Sequence, residues 1–164
     1  IDEVLKKTNS SPAEISYYAV QSEGIYVGYK GYLKRGIKPL YPFGHGLTYT
    51  TFEYSDLKVT PAKGGCDLQI TLTNTGAYDA SEVVQVYVGE ENPSVPRPVK
   101  ELKAFKKAHL AAGESQVLNL RLDYEAFAFY DVGSHDWKVN PGQFNIYVGA
   151  SAGDVRLYGS VNIR

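Results

Sequence analysis

From residue 53 onward, apolar and polar positions alternate with a period of two, the spacing of half-buried strands. Glu53–Thr60 alternates weakly before Pro61-Ala62-Lys63-Gly64-Gly65 breaks it. Cys66–Thr73 alternates cleanly, with Cys66, Leu68, Ile70 and Leu72 on one face, and Asn74-Thr75-Gly76 turns it. Glu82–Gly89 sets Val84, Val86 and Val88 on one face, and a polar, Pro-rich loop follows through Asn92, Pro93, Pro96 and Pro98. Lys100–Leu110 alternates Leu102, Ala104 (or Phe105) and Leu110 against lysines, and Ala111-Ala112-Gly113-Glu114 turns the chain. Ser115–Leu122 follows through Val117, Leu118, Leu120 and Leu122. Ala126–Val132 and Trp137–Val139 form a pair of short runs; Gln143–Val148 and Val155–Ile163 come last. Short strands with a turn signal between each pair and no helical repeat predict an all-β fold. The expectation is an immunoglobulin/fibronectin type III-like β-sandwich of seven to eight antiparallel strands.

The first fifty residues follow another rule. Residues 1–16 mix charge with Thr8-Asn9-Ser10-Ser11-Pro12, and Lys6-Lys7 could close a short helix before that turn. Residues 17–52 carry Gly24, Gly28, Gly31, Gly36, Pro39, Pro42, Gly44 and Gly46, a spacing that forbids a long helix. The same stretch holds Tyr17, Tyr18, Tyr26, Tyr29, Tyr32, Tyr41 and Tyr49. A rigid ring with a polar tip suits a surface half-buried against another body. The division expected is therefore an extended, ordered arm over 1–52 and a sandwich over 53–164.

Composition narrows the function classes. Among 164 residues, a formal net charge of −1 gives no field to steer the chain to nucleic acid or an anionic membrane. No apolar run approaches the roughly 20 residues that span a bilayer. The start at Ile1 and the absence of Met suggest a fragment, whether cut, processed or bounded by choice. The single cysteine excludes an internal disulfide, and the alternation places Cys66 as a small buried hydrophobe. There is no Cys…Trp…Cys spacing of an antibody domain.

Several motifs in one collinear order carry a resemblance. They are E-G-I-Y-V-G-Y-K at 23–30, G-I-K-P-L-Y-P-F-G-H-G-L-T-Y-T-T-F at 36–52, N-T-G at 74–76 and E-V-V-Q-V-Y-V at 82–88. R-P-V-K-E-L-K-A-F-K-K at 97–107, F-Y-D at 129–131, W-K-V-N-P-G-Q-F-N-I-Y-V-G-A-S at 137–151 and D-V-R-L at 154–157 continue it. Together they resemble the connector and C-terminal fibronectin type III-like domain of family 3 glycoside hydrolases, which include β-glucosidases and β-xylosidases. Residues 30–35, K-G-Y-L-K-R, depart from the pattern, and residues 1–22 match none of it. The resemblance implies a retaining parent enzyme whose two carboxylates lie about 5–5.5 Å apart. Both would precede the arm, so no catalytic residue transfers to this chain. It also implies a secreted, extracellular or periplasmic parent.

The chain's own chemistry is sparse. Asp131 and Asp136 flank a turn, as Asp123 and Glu125 flank Tyr124, and acids at turns accept backbone N–H bonds or face water. His45, His109 and His135 have no metal-ligand spacing, and no motif asks for a cofactor. His109 is placed on a solvent-facing strand position and His135 in a solvated loop. His45, between Gly44 and Gly46, reads as a contact that locks the arm, or as one near the parent's active-site rim. Trp137 reads as a core or inter-domain anchor rather than a sugar platform. Tyr26, Tyr29 and Tyr32 read as glue against missing domains, with a carbohydrate platform as the other possibility. Arg97, Lys100, Lys103, Lys106 and Lys107 read as a solvated, edge-protecting face. Asn9-Ser10-Ser11 is a glycosylation sequon if the source is eukaryotic and secreted.

The resulting expectation is an inactive accessory domain that braces the catalytic domains of a β-glucosidase-like enzyme. The alternatives are a tether for polysaccharide or a lignin-like polymer, and a dimerisation module.

Overall fold

The computed structural model of the chain describes residues 22–164. The Lys6-Lys7 helix end, Tyr17, Tyr18 and the sequon lie outside these residues. Helix α1 spans Tyr29–Arg35. The strands are β1 Phe52–Ala62, β2 Gly65–Asn74, β3 Ala80–Glu90, β4 Glu101–Leu110 and β5 Ser115–Leu122. A helical turn, α2 Tyr124–Phe127, leads into β6 Phe129–Asp131, β7 Asp136–Lys138, β8 Gly142–Ser151 and β9 Asp154–Ile163.

A three-stranded sheet, β1-β2-β5, packs on a four-stranded sheet, β4-β3-β8-β9, and β6-β7 form a separate two-stranded ribbon. All pairings are antiparallel. The chain changes sheet after β2, after β4 and again after β5, by way of the β6-β7 ribbon, and each sheet hides one face against the other. Cys66, Leu68, Ile70 and Leu72 of β2 meet Val84, Val86 and Val88 of β3 and Phe144, Ile146 and Val148 of β8 in that core. The ring of Phe127 on α2 meets Phe144 edge-on at 5.1 Å and plugs one end. Burial pushes the Cys66 thiol up to about 11, which leaves it an inert packing group.

The sandwich of antiparallel strands is as expected, with nine strands among the described residues once β6 and β7 are counted. Several local expectations need correction. The Gly-rich arm contains a seven-residue helix, short enough to end at Gly36 in the left-handed conformation. The run expected from Ala126 begins as the helical turn α2, which buries Ala126 and Phe127 before the strand starts. In β4 the register slips opposite Val86 and Tyr87. Ala104 therefore sits opposite Val86 and packs on the core, while Leu102 sits opposite Tyr87 on the outer face and Phe105 faces solvent. One extra residue reverses the facing of everything beyond it. A second slip, between Ser55 and Lys58 of β1, coincides with Asp56 at φ 52°, a value Asp tolerates better than most residues.

The basic set also divides. Lys106 and Lys107 are exposed on edge strand β4, as expected of charges that block further pairing. Lys100 and Arg97 are not solvated. Lys100 is 8% exposed, and its Nζ lies 5.5 Å and 5.2 Å from the ring centres of Tyr87 and Tyr147. Its long stem buries against the sheet while its head meets aromatic faces instead of a carboxylate. Burial pushes its ammonium pKa down. The Arg97 guanidinium closes the end of the core beside Phe129 and Phe144 and bonds Glu90, Phe127 O and Ala128 O at 2.8, 2.9 and 3.2 Å.

Candidate functional site

In β3 the side chains that point away from the core, Gln85 and Tyr87, are as buried as those that point into it. Their cover is the arm, which crosses the outer face of the four-stranded sheet as a third layer. Tyr29 of α1 stacks on Phe43 at 4.5 Å and meets Tyr87 edge-on at 6.2 Å. The Leu102 N–H donates to Tyr29 Oη at 2.9 Å, and Lys30 pairs with Glu101 at 2.7 Å. The Ala152 N–H donates to Phe43 O at 2.8 Å.

Gln85 is the central fastener. Its Nε2 donates to Gly44 O at 3.0 Å and Ala150 O at 2.6 Å, and its Oε1 accepts from Tyr87 Oη at 2.6 Å. A buried amide with its carbonyl and both N–H groups engaged stabilises; one left open would cost about 1–3 kcal/mol. Gly44 has φ 82°, and a Cβ there would lie 2.0 Å from Gln85 Oε1. Only glycine allows both the left-handed turn and the close approach. At the arm's end, Thr50 Oγ1 donates to buried Asn74 Oδ1 at 2.6 Å, and Asn74 Nδ2 donates to Tyr78 O and Leu110 O.

The arm's other side is apolar and open. Leu40, Leu47 and Tyr49 are 87%, 92% and 95% exposed, with Tyr41, Val27 and Ile37 also exposed. The strap is thus fastened inward by polar and aromatic contacts and presents an apolar band outward. Large apolar side chains exposed along one segment suit an interaction face.

The residues singled out from sequence do not converge in one cleft. Tyr29 is an internal fastener. Half-buried Tyr26 lies under the Lys34 ammonium at 3.5 Å, and exposed Tyr32 lies near the Arg35 guanidinium. His45 is exposed in a turn, 5.5 Å from the ring of Tyr41. Trp137 is 60% exposed on the β6–β7 ribbon, edge-on to Tyr130 at 5.8 Å, so it is not a core anchor. His109 is exposed on β4, and His135 is exposed at the ribbon turn with φ 52°.

Asp131, Asp136 and Asp154 each have local hydrogen-bond partners. Asp131 is bonded to Lys138 and Ser134; those bonds, the Lys138 one first, hold its carboxyl near pKa 2. Asp136 accepts its neighbour's N–H, and Asp154 is held by Arg156 at 2.7 Å. Among the described residues, no three His, Cys, Asp or Glu side chains gather as a metal site. No helix of these residues is long and apolar enough to cross a membrane.

One group was missed from sequence altogether. Glu82, Tyr54, Ser151, Asp154 and Arg156 line a cleft under the Gly44–Thr51 segment of the strap. They come from four strands, and no spacing along the chain announces them.

Comparisons with known proteins place this geometry. A family model of a fibronectin type III-like domain matches residues 82–152. The thermostable β-glucosidase B of Acetivibrio thermocellus is 43% identical over 86% of this chain and 19% of its own. An exo-α-(1→6)-L-arabinopyranosidase of Bifidobacterium longum is 44% identical over 81% of this chain and 18% of its own. The solved structure of β-glucosidase 3B from Thermotoga neapolitana in complex with glucose superposes with a TM-score of 0.85 at 36% identity. It covers 96% of this chain and 22% of that one.

Proposed function

The chain contains a fibronectin type III-like domain and is related to family 3 β-glucosidases, of whose length it spans about a fifth, and on that premise we propose that it is a non-catalytic brace within such an enzyme. In this reading residues 1–52 are the connector and 53–164 the sandwich. The connector's inner side is fastened to the sheet, and its outer side packs against the catalytic domains. The observation that carries the reading is the two-sided strap. Exposed Leu40, Leu47 and Tyr49 lie on a segment too firmly tied down to fold back over them.

Terminal β-glucosyl residues are the substrate proposed for the parent. A relative named as an arabinopyranosidase is about as similar as the β-glucosidase, which supports assigning substrate choice to parts of the parent other than this domain. Two measurements test the brace. The purified chain should show no turnover of an aryl β-glucoside, and measurable turnover overturns the reading. In the full-length protein, Leu40→Ser with Leu47→Ser should shorten the half-life at elevated temperature and leave KM near wild type. An unchanged half-life overturns it. A polymer-tether role draws support from the exposed Trp137–Tyr130 pair, a flat aromatic surface on a ribbon. Retention on insoluble cellulose or xylan that is lost in Trp137→Ala would favour it.

A further inference from the structure

The cleft under the strap is built of four strand ends. Phe52 and Tyr54 come from β1, Ser81, Glu82 and Val83 from β3, Ser151 from the end of β8, and Asp154 and Arg156 from β9. Tyr54 Oη and Ser151 Oγ are buried, with no hydrogen-bond partner among the described residues. Tyr54 is 7% exposed and Ser151 1%. Buried hydroxyls are ordinarily satisfied. Two unsatisfied ones lining one cleft point to something that enters it. The hydroxyl of Tyr54 lies in the fields of Glu82, Arg156 and Asp154, and the Arg156 guanidinium carbon is 5.8 Å from the Tyr54 ring centre.

Charge decides the class of ligand. Asp154 takes Arg156 Nε and Nη2 at 2.5 and 2.7 Å, so this pair is internally neutral. Glu82 gives one oxygen to the Val83 N–H at 2.7 Å and keeps the other free. An anion would face the free Glu82 oxygen. A cation would find a single unneutralised carboxylate, and burial already pushes that carboxyl up. What remains is an alternation of hydroxyls that both donate and accept, a free carboxylate acceptor and the unused Arg156 Nη1 donor, beside apolar Phe52, Tyr54 and Leu47.

The geometry points to a binding site for a small neutral polyol of monosaccharide size: adjacent ligand hydroxyls reach Tyr54, Ser151 and Glu82, and the carbon face lies on the apolar wall. This assignment does not rest on the bracing role.

The test is a ¹H–¹⁵N NMR titration of the chain with D-glucose and myo-inositol, with acetate and methylammonium as charged comparators. The polyols should produce saturable millimolar shifts confined to residues 44–52, 81–83 and 150–156. Tyr54→Phe and Ser151→Ala should each weaken binding by about tenfold, with the rest of the spectrum unchanged. If Ser151→Ala disturbs the spectrum elsewhere, the isosteric Tyr54→Phe alone decides. The proposal is overturned if no shift saturates, if the shifts lie elsewhere, if acetate or methylammonium binds equally well, or if Tyr54→Phe binds like wild type. In that case the two hydroxyls are satisfied by water alone.

Discussion

β2 and β3 are written in nearly the same alphabet. Each alternates apolar residues toward the core with larger polar or amphipathic ones away from it. In β2 the outward row is Asp67, Gln69, Thr71 and Thr73, which stays half-buried or exposed. Its contacts are lateral and wet: Gln69 to Asn119 at 3.3 Å, Thr73 to Ser115 at 2.7 Å, Arg121 to Asp67 at 3.2 Å. In β3 the outward residues Gln85, Tyr87 and Gly89 are fully buried. Gln85 and Tyr87 spend their polar atoms on each other, the strap and β8. The same period thus covers two situations, one sheet with a solvated back and one that is the middle layer of three. What separates them is the distant segment that lands on each, and local pattern carries no record of that.

The largest expected effect tests the shielded ion pair that closes the end of the core. The Arg97 and Glu90 side chains are 8% and 5% exposed and pair at 2.8 Å. Arg97→Ala would leave the Glu90 carboxylate buried with only the Asn140 amide beside it, and would also strand Phe127 O and Ala128 O. A loss of about 3–5 kcal/mol is expected from the urea midpoint. A loss below about 1 kcal/mol would show that this end of the sandwich is wetter than its packing implies.

Next comes the fastener. Gln85→Ala removes the partner of Gly44 O, Ala150 O and Tyr87 Oη, and about 2–3 kcal/mol should be lost. Gly44→Ala should cost at least about 1–2 kcal/mol through the left-handed backbone, since Gln85 cannot swing aside without breaking those bonds. Both changes should raise amide exchange in 40–50 far more than in β2 or β5. Uniform exchange would mean that the strap is not held as a separate layer.

These two cases mark where the sequence was legible. The core side of β2, β3 and β8 was readable because burial between two sheets imposes strict alternation. Leu102 was misplaced because a single-residue bulge is silent in composition. Lys100 and Arg97 were misread for a related reason. Their charge argues for solvent, while their partners, Tyr87, Tyr147, Glu90 and two carbonyls of the α2 turn, are assembled only by the fold. The tyrosines announced an interface, but pattern could not divide Tyr29, which faces inward, from Tyr49, which faces out. The cleft of Tyr54, Glu82, Ser151 and Arg156 was invisible because four ordinary strands meet there.

A smaller effect separates two carboxylates on the strapped side by sign. For Glu101, burial pushes the carboxyl up, but the bond to Lys30 and the fields of Lys103, Lys30 and Arg97 outweigh it, and its pKa falls. Its stabilisation is therefore present above the unfolded carboxylate range and lost as pH drops through the folded value. For Glu82, burial outweighs the Val83 N–H bond and Arg156, and its pKa rises. The fold prefers the protonated acid, so stability falls as pH rises from the unfolded value through the folded one. Glu101→Gln should flatten the acid-side loss of stability, and Glu82→Gln should steepen it. Each change should be about 1 kcal/mol or less once solvent screening is counted. Equal slopes in both variants and wild type would remove electrostatics from the strap's anchorage.

The smallest effect belongs to the solvated back. Gln69 and Asn119 face each other across β2 and β5 at 3.3 Å, a separation at the long end for an amide bond, and water competes for both groups. Deleting one leaves its partner free to hydrate, so nothing stays buried and unpaired. Gln69→Ala should change the unfolding midpoint by no more than about 0.5 kcal/mol. Gln85→Ala removes the same side-chain atoms from the neighbouring sheet, so the difference between the two variants isolates what the strap contributes. If Gln69→Ala proved as costly as Gln85→Ala, the back of the three-stranded sheet would also be an interface, covered by a segment outside residues 22–164.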